Sequence, residues 1–245
     1  MSSNYDLAII TGASGDIGSA IAKRFAKEGY NLLLLGNKQK ESLEKTKVEC
    51  ESYKVHVDSF CIDLKNSNEI ESKIKPLLEG KYKAKYLVNC AGISHIGLLQ
   101  DMSDSQWQNV LDTNISSVFY ISRLLVPYFL KSKNAYILNI SSIWGGIGAS
   151  CEVAYSASKG ALNSFTKALA KELAPSNIAV NALSCGMIDT KMNSCFNKEE
   201  ISDICNEIPA GRMASCDEVA EAALLLTKMP TYLTGQIIGI DGGWA

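Results

Sequence analysis

The chain has 245 residues, of which 47% are hydrophobic and 20% charged, with a formal net charge of −2. That length supports a large core in one α/β domain, and the interspersed charges exclude a nucleic-acid-binding or anionic-membrane face. The eight cysteines include no two within four residues of each other, and the two histidines, His56 and His95, do not complete any zinc-ribbon or zinc-finger spacing.

The N-terminus lacks the basic, apolar and small-residue segments of a secretory signal, so reduced thiols and a cytoplasmic location are expected. No membrane span is expected either, because the richest apolar run, 118–130, is broken by Arg123 and Pro127.

Short apolar runs alternate with helical patterns along the whole chain. The first buried strand is expected at 7–10 and the first helix at 17–27, with apolar residues at 17, 21, 22, 25 and 26. A leucine strand at 32–35 precedes a charged helix over 40–52. An alternation starting at Val55 then runs into Ile62, Asp63 and Leu64, and a helix follows over 70–78. The next strand covers 86–89. One long helix is predicted from Ser103 to Lys131, tolerating Pro127 as a kink. Strands at 136–140 and 178–182, a helix at 217–228 and a last strand at 236–240 complete the pattern. Strands that are apolar almost throughout are buried on both faces. The predicted architecture is therefore a doubly wound parallel α/β sheet of about seven strands, a Rossmann fold in one domain, with ligands at the C-terminal rim of the strands.

Two motifs fall on that rim. Between the first strand and first helix lies Thr11-Gly12-Ala13-Ser14-Gly15-Asp16-Ile17-Gly18. Glycines there let backbone approach a pyrophosphate, and a helix N-terminus offers free N–H groups and partial positive charge. An ordinary tight turn would use the same residues. Further on, Tyr155 and Lys159 are four apart on a predicted helix and therefore share a face. A phenol has a pKa of about 10, and a fixed cation nearby is expected to lower it, tuning Tyr155 for proton transfer.

These motifs resemble the short-chain dehydrogenase/reductase family: the loop is similar to its Thr-Gly-x-x-x-Gly-x-Gly fingerprint, and Tyr155 with Lys159 to its Tyr-x-x-x-Lys. Asp63, Asn89-Cys90-Ala91-Gly92, Asn114, Ser142, Gly186-Met187-Ile188-Asp189-Thr190 and Asp241-Gly242-Gly243 follow in the family's order. Length, Ile208-Pro209-Ala210-Gly211-Arg212 and Leu233-Thr234-Gly235-Gln236 are most similar to 3-oxoacyl-acyl-carrier-protein reductases.

The resemblance implies a catalytic set of Asn114, Ser142, Tyr155 and Lys159. It implies a dinucleotide held by Gly12, Ser14, Gly15, Asp16, Ile17, Gly18, Asn37, Lys38, Asp63, Leu64, Asn89, Ala91, Gly92, Tyr155, Lys159, Gly186, Ile188 and Thr190. Asp63 would meet the adenine, or else cap the next helix. Ile188 and Thr190 would anchor the nicotinamide, and Asn114 would hold a water leading to Lys159, or else bond to backbone. Because Gly36-Asn37-Lys38 offers no acid for a ribose, NADP is favoured over NAD.

The chain departs from the family at three points. Asp16 replaces the second fingerprint glycine, where its carboxylate either faces the pyrophosphate or caps the first helix. Cys185 replaces a proline and is expected to loosen the following turn. Of the basic positions that dock an acyl carrier protein, Lys133 keeps its charge and Ser176 does not. Trp144, Ile147, Glu152, Met187, Met192 and Phe196 are expected to border the substrate, beneath a mobile lid over 187–213. Glu152 suits a hydroxylated substrate, or else points to solvent. Together these features lead to NADPH-dependent reduction of a 3-oxoacyl thioester by a homotetramer. A different ketone, sugar or hydroxysteroid-like substrate is the alternative, and a non-catalytic dinucleotide sensor is a third reading.

Overall fold

The computed structural model describes residues 6–80, 82–132, 134–194 and 196–245. Strand and helix alternate from the start: β1 (Asp6–Thr11), α1 (Asp16–Lys27), β2 (Asn31–Gly36), α2 (Lys40–Glu51), β3 (Val57–Cys61), α3 (Ser67–Leu78) and β4 (Lys83–Asn89). Then come α4 (Asp104–Leu111), α5 (Ser117–Phe129), β5 (Tyr136–Ser142), α6 (Trp144–Ile147), α7 (Val153–Leu173) and β6 (Ala179–Cys185). Helices α8 (Lys198–Glu207) and α9 (Cys216–Lys228) precede β7 (Ile237–Ile240).

Among the described residues, seven strands form one sheet in the order β3-β2-β1-β4-β5-β6-β7. Every pairing is parallel. The chain winds outward from β1 to β3 and then crosses back to place β4 on the other side of β1. Connections therefore leave β1 and β4 in opposite directions, which opens a crevice at their C-terminal ends.

Alternate residues of each strand feed two separate cores. Ala8, Ile10, Leu32 and Leu34 pack with Ile21 and Phe25 of α1 and Val219 and Ala223 of α9. Leu7, Ile9, Leu33 and Leu35 pack on the opposite face with Ile70 and Ile74 of α3 and Ile121, Leu125 and Phe129 of α5. Both faces are apolar because both are covered, which is why these strands read as unbroken hydrophobic runs.

The region predicted as one helix over 103–131 is two helices joined by a π turn, Asp112–Ser116. The wider turn carries Asn114, whose carboxamide bonds outside its own helix. Pro127 sits within α5, as expected. Strand β3 stops at Cys61 instead of continuing to Leu64, because a turn closed by Asn66 N–H and the Asp63 carbonyl follows. The segment 187–213 holds structure not anticipated from the sequence: a 3-10 turn, Lys191–Asn193, and α8. Among the described residues no helix is long and apolar enough to cross a membrane.

Candidate active site

The crevice between β1 and β4 is closed at its base by contact between their loops. Gly12 has φ +68°, and a β-carbon there would lie 2.8 Å from the Ala91 backbone. Thr11 joins the same two loops, its hydroxyl oxygen accepting bonds from Cys90 N–H at 3.0 Å and Ala91 N–H at 3.1 Å. Gly18 lets α1 press on this turn, since a β-carbon would come within 2.2 Å of the Gly12 carbonyl oxygen. Backbone N–H groups at the start of α1 thus face the crevice mouth. Ser14 lies beside Gly36, and Ile17 packs on the core.

Asp16 is not the cap of α1. Gly15 holds that position without a side-chain cap bond, and Asp16 is the first helical residue. Its carboxylate accepts a 2.7 Å bond from Lys191 N–H. Asp63 does not cap its helix either, because Asn66 takes the N–H groups of Asn68 and Glu69. The Asp63 carboxylate instead accepts from Lys65 N–H at 3.0 Å. Leu64 beside it is buried.

On the other side of the crevice, β5 ends in Ser142 and α7 carries Tyr155, Ser158 and Lys159. The Ser142 hydroxyl neighbours the Tyr155 phenol closely enough to act on its acidity. Tyr155 keeps some exposed surface, yet burial around its phenol is the largest influence on it and raises the pKa. The neighbouring Ser142 hydroxyl opposes this. The direction is the reverse of the sequence expectation, because desolvation of the phenolate outweighs any help from a cation. Lys159 is buried, with Nζ 5.6 Å from the Tyr155 ring centroid and donating to the Ile140 carbonyl at 2.8 Å. Burial holds its pKa below the ordinary lysine value. Half-buried Cys90 and buried Cys185 flank Lys159, and desolvation pushes both thiols up to about 12, so they are neutral neighbours.

Asn114 is fixed on three sides. Its Oδ1 accepts from Ile93 N–H at 2.8 Å, and Nδ2 donates to the Ile93 carbonyl and to the Ser158 hydroxyl, each at 2.9 Å. A β-carbon on Gly92 would lie 3.4 Å from Asn114 Oδ1 and 3.5 Å from Lys159 Nζ, so both atoms face one spot that glycine keeps clear. Thr11, named in the sequence only as the first residue of the glycine-rich motif, and Ser158 complete the site without having been assigned a part in it. Ser158 had a signal, since it stands three residues after Tyr155 and one before Lys159.

The remaining predicted residues line the rim or support it. Asn89 turns into the sheet, donating to Asn139 at 2.8 Å, and Asn139 donates to Thr166 at 2.8 Å. The Oδ1 of Asn89 is buried without a hydrogen-bond partner among the described residues. Asn37 and Lys38 are exposed just past β2. The turn after Cys185 is held by backbone bonds on both sides: the Cys185 carbonyl accepts from Ile143 N–H at 3.0 Å, and Gly186 N–H bonds the Ile240 carbonyl at 3.0 Å. Ile188 is buried, and Thr190 immediately precedes the 3-10 turn. Lys133 lies outside the described residues, and Ser176 ends a short turn after α7.

Beside Ser142 and Tyr155, Trp144 N–H points to the Ser142 hydroxyl at 3.3 Å, and its ring meets Trp244 edge-on at 5.1 Å. Ile147 and Met192 are exposed. Glu152 does not simply point to solvent, because its carboxylate accepts a bond from the Ser94 hydroxyl.

The tight βα turn and the clear spot at Gly92 beside Lys159 and Asn114 fit a nicotinamide dinucleotide. The comparisons agree with this geometry. The short chain dehydrogenase family matches residues 6–201. The chain is 40% identical to the uncharacterized oxidoreductase YmfI of Bacillus subtilis, over 97% of this chain and 98% of that protein. It is 36% identical to the 3-oxoacyl-[acyl-carrier-protein] reductase FabG of Thermotoga maritima, over 96% of each. A crystallised variant of actinorhodin polyketide ketoreductase with NADPH superimposes with a TM-score of 0.92 at 31% identity, covering 100% of this chain and 99% of that one. The chain belongs to the short-chain dehydrogenase/reductase family and is an NAD(P)-dependent oxidoreductase.

Proposed function

We propose that the protein is an NADPH-dependent carbonyl reductase acting on 3-oxoacyl thioesters, with Asn114, Ser142, Tyr155 and Lys159 as its catalytic set. The observation that carries this reading is Tyr155 with buried Lys159 on one face of α7, Nζ 5.6 Å from the phenol ring, beside Ser142 at the end of β5 and at the rim next to the glycine-rich turn. When bound, the dinucleotide supplies hydride chemistry. The two hydroxyl groups donate to the substrate oxygen and share its developing charge, and Tyr155 then releases its phenolic proton to that oxygen. Lys159 provides a fixed cation and a ribose contact, while the Asn114 network holds its part of the helix in place.

NADP is preferred because Lys38 is exposed past β2 and no acid stands among residues 36–38. The relatives that reduce 3-oxoacyl carrier-protein substrates support the thioester. A cytoplasmic homotetramer in fatty acid synthesis, one domain with a lid over 187–213 and docking of an acyl carrier protein belong to the same proposal. It is tested by following oxidation of NADPH and NADH with a 3-oxoacyl thioester. Turnover with NADPH is expected, and no turnover of carrier-linked or simple thioesters sinks the substrate assignment. Lys38→Ala is expected to lower kcat/KM for NADPH by about tenfold and leave NADH nearly unaffected.

A further inference from the structure

Asp16 stands where the family fingerprint has a glycine, and its partner lies 175 residues away along the chain. Its Oδ2 accepts a 2.7 Å bond from Lys191 N–H. Lys191 opens the 3-10 turn Lys191–Asn193, and the residue before it, Thr190, makes no side-chain cap bond. Asp16 therefore supplies the acceptor that this turn does not provide for itself.

Other bonds at the base of the same segment act within its own stem. Ala214 N–H donates to the Met187 carbonyl at 3.0 Å, Asp189 N–H to the Ala214 carbonyl at 2.9 Å, and Asn193 Nδ2 to the Ile188 carbonyl at 2.7 Å. The Asp16 bond has a different reach, because it ties the stem to the glycine-rich turn. A free carboxylate at that turn would repel a pyrophosphate, whereas the Lys191 N–H offsets part of its charge.

We propose that Asp16 is a positioning residue that latches the segment 187–213 to the dinucleotide turn, so that the dinucleotide leaves only after this contact opens. The inference rests on the proposed reading of residues 12–18 as the dinucleotide site. A dinucleotide spanning from that turn towards residues 186–190 would lie between the two arms the bond joins.

Amide hydrogen exchange on the protein alone and stopped-flow release of NADPH test the latch in Asp16→Ala and Asp16→Asn. In Asp16→Ala, residues 189–194 are expected to exchange about tenfold faster with the sheet amides unchanged, and NADPH to leave about tenfold faster. Asp16→Asn keeps an acceptor oxygen and is expected to recover most of both effects. Unchanged exchange at 189–194, faster exchange across the whole sheet, or slower NADPH release in both variants would each overturn the latch. Failure of the unsubstituted protein to bind NADPH would instead overturn the dinucleotide reading.

Discussion

Burial raises the pKa of the Tyr155 phenol and the Ser142 hydroxyl pulls it back, leaving a group that holds its proton through neutral pH. Below that raised pKa the phenol is the acid, so the reduction rate is expected to stay level through neutral pH and fall only as pH climbs through the raised value. Oxidation of the alcohol needs the phenolate and is expected to rise with pH over the same alkaline range. Paired pH profiles of kcat in the two directions check this, and a reduction rate already declining through neutral pH would contradict it. Tyr155→Phe removes the proton and is expected to lower kcat by about 10²- to 10⁴-fold with NADPH binding retained. A variant that keeps full activity excludes this tyrosine as the proton donor. At this scale, spacing in the sequence placed Tyr155 and Lys159 on one helix face, as the structure has them, but implied the wrong sign for the phenol. Spacing reveals which side chains share a face, but it does not reveal how deeply a phenol is enclosed.

The helix that follows the proposed lid, α9, shows how an element can carry its own pH dependence. Ser215 and Glu218 form a capping box at its start, and Arg212 binds both oxygens of Glu218 at 2.9 and 2.7 Å. These bonds, Arg212 foremost, lower the Glu218 pKa from 4.5 to about 2. A depressed carboxylate stabilises the fold above its ordinary pKa, and that contribution is lost as pH falls from about 4.5 towards about 2. Ser215→Ala is expected to cost about 1 kcal/mol in urea denaturation at neutral pH. If the midpoint does not move, the cap has no part in stability. Caps of this kind are legible in sequence: Asn197 and Glu200 form the same device at α8, and their spacing was the available sign of that helix. The π turn at Asn114 had no such sign, because the apolar period continues through it and the cause is a tertiary bond to Ile93.

For the whole molecule, a parallel sheet covered on both faces follows from strands apolar on both faces and could be read from the chain, whereas the strand order that puts β4 beside β1 comes from the structure. The cross-chain contacts could not be read from the chain either. Asp16 and Lys191 meet only because the sheet brings the ends of β1 and β6 to one rim, and no local pattern encodes that encounter. Leu33, fully buried in the core beneath α3 and α5, gives the cost of opening a void in one layer. Leu33→Ala is expected to lose about 2–5 kcal/mol in urea unfolding. A much smaller loss would mean that the sheet collapses around the site.

The edge-on contact between Trp144 and Trp244 has an optical consequence. It couples an indole two residues from Ser142 to one that follows Asp241-Gly242-Gly243, while the third tryptophan, Trp107, lies on α4. A Trp107→Phe protein would therefore carry its tryptophan emission in this pair alone, giving a built-in fluorescent gauge of the ground beside Ser142.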